Sequence, residues 1–134
     1  DLKGGIKTAY HLFAFLRTWN IDVSNMIAFS FNQKHLDLLE QKMPELRRGF
    51  ITDNILSETV LKEIIPHIHF LCLHYSALDK EMINYCKKRG IFIFTYTMKN
   101  EDELKYMQRF KIDGIVTNFK LIKFEPWLFF PSII

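Results

Sequence analysis

The stretch that decides the fold reads KKRGIFIFTYTMKN over residues 87–100. Its centre, residues 91–97, is a run of β-branched and aromatic residues, which is typical of a buried strand. Gly90 follows three cations, and this order predicts a helix end, because glycine tolerates a left-handed conformation and cations suit the negative end of the dipole. Asn100 can accept a hydrogen bond from the first turn of a following helix. The stretch therefore predicts a helix, a strand and a helix in succession.

The same alternation extends along the chain. Four further apolar runs share the character of buried strands: 26–31, 49–52, 70–74 and 114–117. Apolar residues recur between them at three- and four-residue spacing, which indicates helices, and Asn32 and Ser57 are suitable helix starts. Strand centres lie about 21 to 23 residues apart, close to the minimum for a strand, a helix and two short loops.

Strands that are apolar throughout predict a parallel sheet covered by helices. Such βα units form either an open doubly wound sheet or a barrel, and periodicity alone does not choose between them. A possible strand end at residues 1–3 brings the count to six, whereas a closed (β/α) barrel needs eight. The chain is therefore either an open α/β sheet or a barrel that lacks two βα units.

Composition limits the function classes. A chain of 134 residues with 49% hydrophobic residues can bury one core. The formal charge is only +3, and the basic run 87–89 fits a helix end better than a nucleic-acid surface, so no nucleic-acid partner is expected. Cys72 and Cys86 lack a CxxC spacing and are expected to be reduced and structural. The aromatic stretch 124–130 is expected to pack in the core, with docking on a membrane or partner as the alternative.

No stretch approaches the roughly 20 apolar residues of a membrane span, so no transmembrane segment is expected. The chain begins with Asp1 rather than Met, which suggests a fragment. A targeting segment could precede it, so the compartment is unknown from the sequence, with the cytoplasm favoured.

The chemistry of parallel α/β folds lies at the carboxyl ends of the strands. Asp1 and Lys3 lie on one face of an extended segment, where a carboxylate suits a hard cation and an ammonium suits a phosphate oxygen. A terminal ion pair is the more ordinary interpretation of that spacing. The other strand ends carry Ser30 and Asn32, Thr52 and Asp53, His74 and Tyr75, Tyr96 and Thr97, and Thr117 and Asn118.

The histidines do not predict a metal site. His67 and His69 share one face of an extended chain and His74 lies on the other, so structural or loop roles are expected. His11 and His35 fall in predicted helices, where surface or packing roles are expected. Ser30 lacks the G-x-S-x-G context of a nucleophile elbow.

Three segments together resemble the glycerophosphodiester phosphodiesterase family. Residues 89–100 and 113–118 (DGIVTN) are similar to its seventh and eighth strands, with their Trp-Thr-Val-Asn and Asp-Gly-Ile-Ile-Thr patterns. Residues 27–32 (IAFSFN) are similar to its fourth strand, which ends in Ser-Phe-Asp, and residues 1–4 (DLKG) to the Glu-(Ile or Leu)-Lys end of its third. The strands would then be the third to eighth of a barrel, which explains the count of six.

The resemblance implies an α/β fold of the TIM (β/α)8 barrel class, present as an incomplete barrel of about six βα units, with residues 1–134 the carboxy-terminal portion of one domain. It implies that the parent protein hydrolyses a small-molecule glycerophosphodiester to glycerol 3-phosphate and an alcohol, with a divalent metal ion (Mg or Ca). By the same resemblance, Asp1 helps to bind the metal and Lys3 faces the phosphate. Tyr96 stands where the family has Trp, near the pocket wall, and Phe31 lines the mouth of the site.

Two departures from the family pattern matter. Asp1 replaces a Glu and is one methylene shorter. The His-Arg-Gly of the first strand, the Glu-x-Asp metal ligands of the second and the second catalytic His are absent, so the chain alone is expected to be inactive. Its open edges are expected to pair with missing strands or to self-associate. The alternatives are a non-catalytic barrel-derived binding domain and another phosphate-binding TIM-barrel enzyme.

Overall fold

The computed structural model describes residues 1–118, in which helices and strands alternate. The helices are α1 (Lys7–Thr18), α2 (Gln33–Lys42), α3 (Glu58–Ile64), α4 (Lys80–Lys87) and α5 (Glu101–Met107). The strands are β1 (Ile27–Ser30), β2 (Arg47–Thr52), β3 (Phe70–His74), β4 (Phe92–Met98) and β5 (Gly114–Thr117). The aromatic stretch 124–130 lies outside the described residues.

The strands form one parallel sheet in the order β1-β2-β3-β4-β5. A doubly wound sheet reverses its strand order part-way, whereas a barrel adds each strand beside the last. The sequential order is therefore that of a partial barrel, and the prediction of an incomplete α/β barrel is confirmed.

The predicted sixth strand is reduced to a single contact. Within residues 1–118, only Leu2 extends the sheet beyond β1, through one parallel bridge to Ser30. Gly4 follows at once with φ +90°, a left-handed conformation that an extended strand does not contain, and the chain turns towards α1. The described part of the chain thus has five strands and one bridge instead of six strands.

The predicted helix boundaries are confirmed. The side chains of Asn32, Ser57 and Asn100 accept hydrogen bonds from backbone N–H groups in the first turns of α2, α3 and α5. Asp79, which sequence inspection did not single out, does the same for α4. Gly90 has φ +77°, the left-handed conformation expected after that helix.

The two faces of the sheet bury different side chains. The outer face contributes Leu71, Leu73 and Ile93 to a core formed with the helices. The inner face carries the rings of Phe29, Phe70 and Phe94, which contact one another with centroid distances of 5.3 to 6.0 Å. Because large side chains fill the inner face of small barrels, these rings mark the barrel interior.

Glycines face two of these rings. A Cβ atom at Gly49 would lie 2.2 Å from the Phe29 ring, and one at Gly114 would lie 2.9 Å from the Phe94 ring. Each ring therefore occupies the space that a side chain on the neighbouring strand would need.

A buried arginine at the amino end of the sheet is bonded on several sides. The buried Arg48 donates to the carbonyl oxygens of Pro44, Leu46 and His67 and lies 3.4 Å from the Glu40 carboxylate. Glu40 also pairs with His67 at 2.7 Å, while Nδ1 of His69 accepts from the Arg48 N–H. His67 and His69 thus have the structural roles predicted for them.

Both cysteines are free and buried, as predicted, and burial raises the pKa of Cys72 to about 12 and that of Cys86 to about 11. Among residues 1–118, no helix is both long and apolar enough to cross a membrane.

Candidate active site

Four strand ends converge at the carboxyl edge of the sheet. The Tyr96 ring lies edge-on to that of Phe31, with centroids 6.3 Å apart, and to that of His74, at 5.7 Å. The Tyr96 hydroxyl donates a hydrogen bond to the Asp53 carboxylate. Phe31 and Asp53 follow β1 and β2, while His74 and Tyr96 lie in β3 and β4, so neighbouring parallel strands deliver all four groups to one place.

The Tyr96 hydroxyl is held in its protonated form. Burial, together with the hydrogen bond to Asp53 and the negative charge of that carboxylate, keeps the pKa of Tyr96 well above its usual range. Tyr96 therefore acts as a hydrogen-bond donor and not as an acid at neutral pH. Asp53 and Phe31 are exposed, so the cluster is open to a ligand from the solvent side.

Asp1 and Lys3 lie at the open edge beside β1. Lys3 Nζ is 3.6 Å from the Asp1 carboxylate, so the ion pair expected from the spacing is present, but 82% of the Lys3 side chain is exposed. Such an exposed pair contributes little to stability. Leu2, the residue between Asp1 and Lys3, bridges Ser30, which ends β1 and precedes Phe31.

The predicted site residues therefore form two groups at one edge: Phe31 with Tyr96, and Asp1 with Lys3. The first pair is in direct contact and the second is joined by charge. Asp53 and His74 both contact Tyr96. In the sequence, only their positions at strand ends indicated a role in the site. Nδ1 of His74 lies 2.7 Å from the Ser76 hydroxyl.

The described residues do not form a complete metal site. Within residues 1–118 no group of three or more His, Cys, Asp or Glu side chains is placed to hold a metal ion. Mg²⁺ and Ca²⁺ take six or more oxygen ligands, whereas Asp1 offers one carboxylate and that of Asp53 is engaged by Tyr96. No catalytic step can be assigned to a metal from these residues.

Most of the chain is similar to proteins of one known family. The model of the glycerophosphoryl diester phosphodiesterase family matches residues 6–121. A glycerophosphodiester phosphodiesterase of Caldanaerobacter subterraneus subsp. tengcongensis is 24% identical over 103 residues, which are 77% of this chain and 42% of that protein. The chain thus spans about two fifths of the length of the curated relatives it matches.

Solved structures show the same fold. A phosphodiesterase of Oleispira antarctica, in complex with the product sn-glycerol-3-phosphate, is 21% identical, with a TM-score of 0.69 over 84% of this chain and 45% of that one. A glycerophosphodiester phosphodiesterase of Thermotoga maritima is 25% identical, with a TM-score of 0.65 over 84% of this chain and 50% of that one. The family match also argues against an unrelated phosphate-binding barrel enzyme.

Proposed function

The chain belongs to the glycerophosphoryl diester phosphodiesterase family, and on this premise we propose that the protein to which it contributes hydrolyses glycerophosphodiesters to glycerol 3-phosphate and an alcohol. The chain covers 40% and 42% of two curated relatives, so the proposal concerns the intact protein and not residues 1–134 alone. The isolated chain is expected to be inactive.

One observation carries the proposal to this chain. Leu2, between the paired Asp1 and Lys3, bridges Ser30, the strand end that leads into Phe31, whose ring meets Tyr96. A cation and an apolar wall thus share the edge at which barrel enzymes bind their substrates. We assign the phosphate-facing role to Lys3, whose ammonium can stabilise charge on phosphoryl oxygens, and a lining role to Phe31 and Tyr96.

We also propose that the intact protein binds a divalent ion, Mg²⁺ or Ca²⁺, with Asp1 as one of its ligands. Asp1 lies 3.6 Å from the ammonium that is assigned to the phosphate, so a metal bound there would neighbour the same group. The remaining oxygen ligands would come from the part of the protein that this chain does not span.

Turnover of glycerophosphocholine by the intact protein, with and without a chelator, tests the proposal. We expect release of glycerol 3-phosphate that the chelator abolishes. Lys3→Met keeps the side-chain length, removes the charge and should lower kcat by about 100-fold or more, as the loss of one charge-stabilising group does elsewhere. Lys7→Met, at another exposed lysine in α1, is the control and should leave kcat unchanged.

Three results would count against different parts of the proposal. Failure to hydrolyse any glycerophosphodiester would overturn the activity. Turnover that the chelator leaves intact would remove the metal and the role of Asp1. Full activity of Lys3→Met would remove the role of Lys3 while leaving the activity in place.

A further inference from the structure

Ser30 and His35 form a polar pair in the interior. Both side chains are fully buried, and Nδ1 of His35 lies 2.9 Å from the Ser30 hydroxyl oxygen. Ser30 ends β1 and His35 lies in the first turn of α2, while the N–H of Asn32 between them donates to the same hydroxyl at 3.0 Å. Buried polar groups are costly unless they are bonded, so a pair retained here requires further partners.

The further partners are backbone carbonyls on both sides of Lys3. Nε2 of His35 lies 3.0 Å from the carbonyl oxygen of Gly5, and since a carbonyl only accepts, Nε2 carries a proton and donates it. The Ser30 hydroxyl lies 3.1 Å from the carbonyl oxygen of Leu2 and shares its one proton between that oxygen and Nδ1 of His35. The pair thus holds the backbone one residue before Lys3 and two residues after it.

Other hydrogen bonds also hold the backbone of this segment. The Leu2 N–H donates to the Phe29 carbonyl at 2.7 Å, the Thr8 hydroxyl donates to the Lys3 carbonyl at 2.9 Å, and the Thr8 N–H donates to the Gly5 carbonyl at 2.9 Å. The Lys3 side chain, which is 82% exposed, has little packing of its own. Its position is therefore set by the backbone, and two of the side-chain bonds to that backbone come from Ser30 and His35.

We infer that the buried Ser30–His35 pair is a positioning device that holds the backbone of residues 2–5 so that Lys3 meets the phosphate. The inference rests on the proposed function, because that function gives Lys3 its phosphate-facing role. Neither Ser30 nor His35 touches the substrate, and both act through Lys3. A misplacement of about 1 Å costs a catalytic group on the order of 100-fold in rate, so the anchoring has a measurable consequence.

Two substitutions at His35 each keep one of its two hydrogen bonds and remove the other. His35→Gln can place an amide nitrogen near the position of Nε2 and keep the donor to Gly5. His35→Asn can place an oxygen near the position of Nδ1 and keep a partner for Ser30, but it removes the side-chain donor to the Gly5 carbonyl, which then retains the Thr8 N–H. In the intact protein we expect His35→Asn to lower kcat by at least about 10-fold with KM nearly unchanged, and His35→Gln to restore most of the loss. His67→Gln, at the amino end of the sheet, is the matched control and should leave kcat unchanged.

A double-mutant cycle with Lys3→Met separates positioning from a general structural role. If His35 acts through Lys3, His35→Asn causes no further loss of kcat once Lys3 is Met. If the losses multiply, or if kcat follows the unfolded fraction measured by thermal melting, the positioning role is wrong. An active wild type with multiplicative losses would overturn this inference and leave the proposed function standing.

Hydrogen exchange gives a readout that does not depend on activity. We expect His35→Asn to speed exchange of the backbone N–H groups of residues 2–6 while the β3 amides remain protected. Unchanged exchange in residues 2–6 would show that His35 does not hold them and would overturn the inference even if the wild type hydrolyses no phosphodiester.

Discussion

A methyl group added at Gly49 tests how tightly the inner face of the sheet is packed. In Gly49→Ala the new Cβ would lie 2.2 and 2.4 Å from two carbon atoms of the Phe29 ring. To reach an ordinary contact the ring must move by about 1.2 Å, from 2.2 to 3.4 Å. It cannot do so freely, because its centroid lies 6.0 Å from those of both Phe70 and Phe94.

Two independent considerations give the size of the effect. Overpacking of a filled core costs about 1–3 kcal/mol. Aromatic pairs contribute about 0.5–1.5 kcal/mol each beyond their buried area, and the displaced ring takes part in two of them. We therefore expect Gly49→Ala to lower the free energy of unfolding by about 1–3 kcal/mol.

Urea unfolding of the intact protein measures this change. With an m value of about 2–3 kcal/mol/M, the midpoint should fall by about 1 M. Gly114→Ala, whose Cβ would lie 2.9 Å from the Phe94 ring, needs a smaller movement and should cost about 1 kcal/mol. Gly5→Ala is the control, because no atom lies within 4 Å of its Cβ, and it should change stability by less than about 0.5 kcal/mol.

The prediction depends most on the order of the three losses of stability, which should be largest for Gly49→Ala, smaller for Gly114→Ala and smallest for Gly5→Ala. If Gly49→Ala left the midpoint where it is, or if Gly5→Ala cost as much, the proximity of Phe29 to Gly49 would not limit stability. Phe29→Leu in the Gly49→Ala background should recover at least about 1 kcal/mol relative to additivity, because the smaller side chain leaves room for the methyl group.

Cys72 and Cys86 should resist DTNB at pH 8 in the folded protein, because burial raises their pKa values to about 12 and about 11, and labelling before denaturant is added would contradict this. Burial, and then the charge of Arg48, lower the pKa of His69 from 6.5. As pH falls, the unfolded chain therefore takes up the proton first, and stability is lost below pH 6.5. His69→Asn, which keeps an acceptor for the Arg48 N–H, should weaken the dependence of the urea midpoint on pH between pH 7 and 5. An unchanged dependence would exclude His69 as the cause. The outer edges of β1 and β5 have no full strand partner within residues 1–118, so the isolated chain should self-associate in light scattering. A monomer that unfolds cooperatively would contradict the idea that these open edges drive association.

The helices and strands of this fold could be predicted from the sequence because they depend on local patterns. The strands predicted at 70–74 and 114–117 have the observed bounds, and the others differ by one or two residues. Hydrophobic runs, helix caps and Gly90 act within a few residues, so each can be read without knowing the rest of the structure. The expected sixth strand did not form as a strand, because the left-handed Gly4 turns the chain after the single bridge at Leu2.

The site was only partly predictable, because its contacts join distant residues. Tyr96 and Asp53 are 43 positions apart and meet across the intervening strand β3, which depends on register and sheet curvature. His35 was expected to have a surface or packing role, since helical spacing reports which face is buried and not what a buried ring bonds to. Its bond to Gly5 depends on how the turn after Leu2 passes over α2.

The two ends of the sheet differ in how their polar groups are used, and this difference separates stability from function. At the amino end Arg48 is buried and bonded on several sides, and the Asp113 carboxylate accepts from the Ile93 N–H and from Lys87, each at 2.7 Å. Such groups cannot meet a ligand without leaving their partners. At the carboxyl end Lys3 and Asp53 remain exposed, Lys3 paired with Asp1 and Asp53 accepting from the Tyr96 hydroxyl. Substitutions at Arg48 or Asp113 should therefore lower stability before activity, and substitutions at Lys3 should do the reverse.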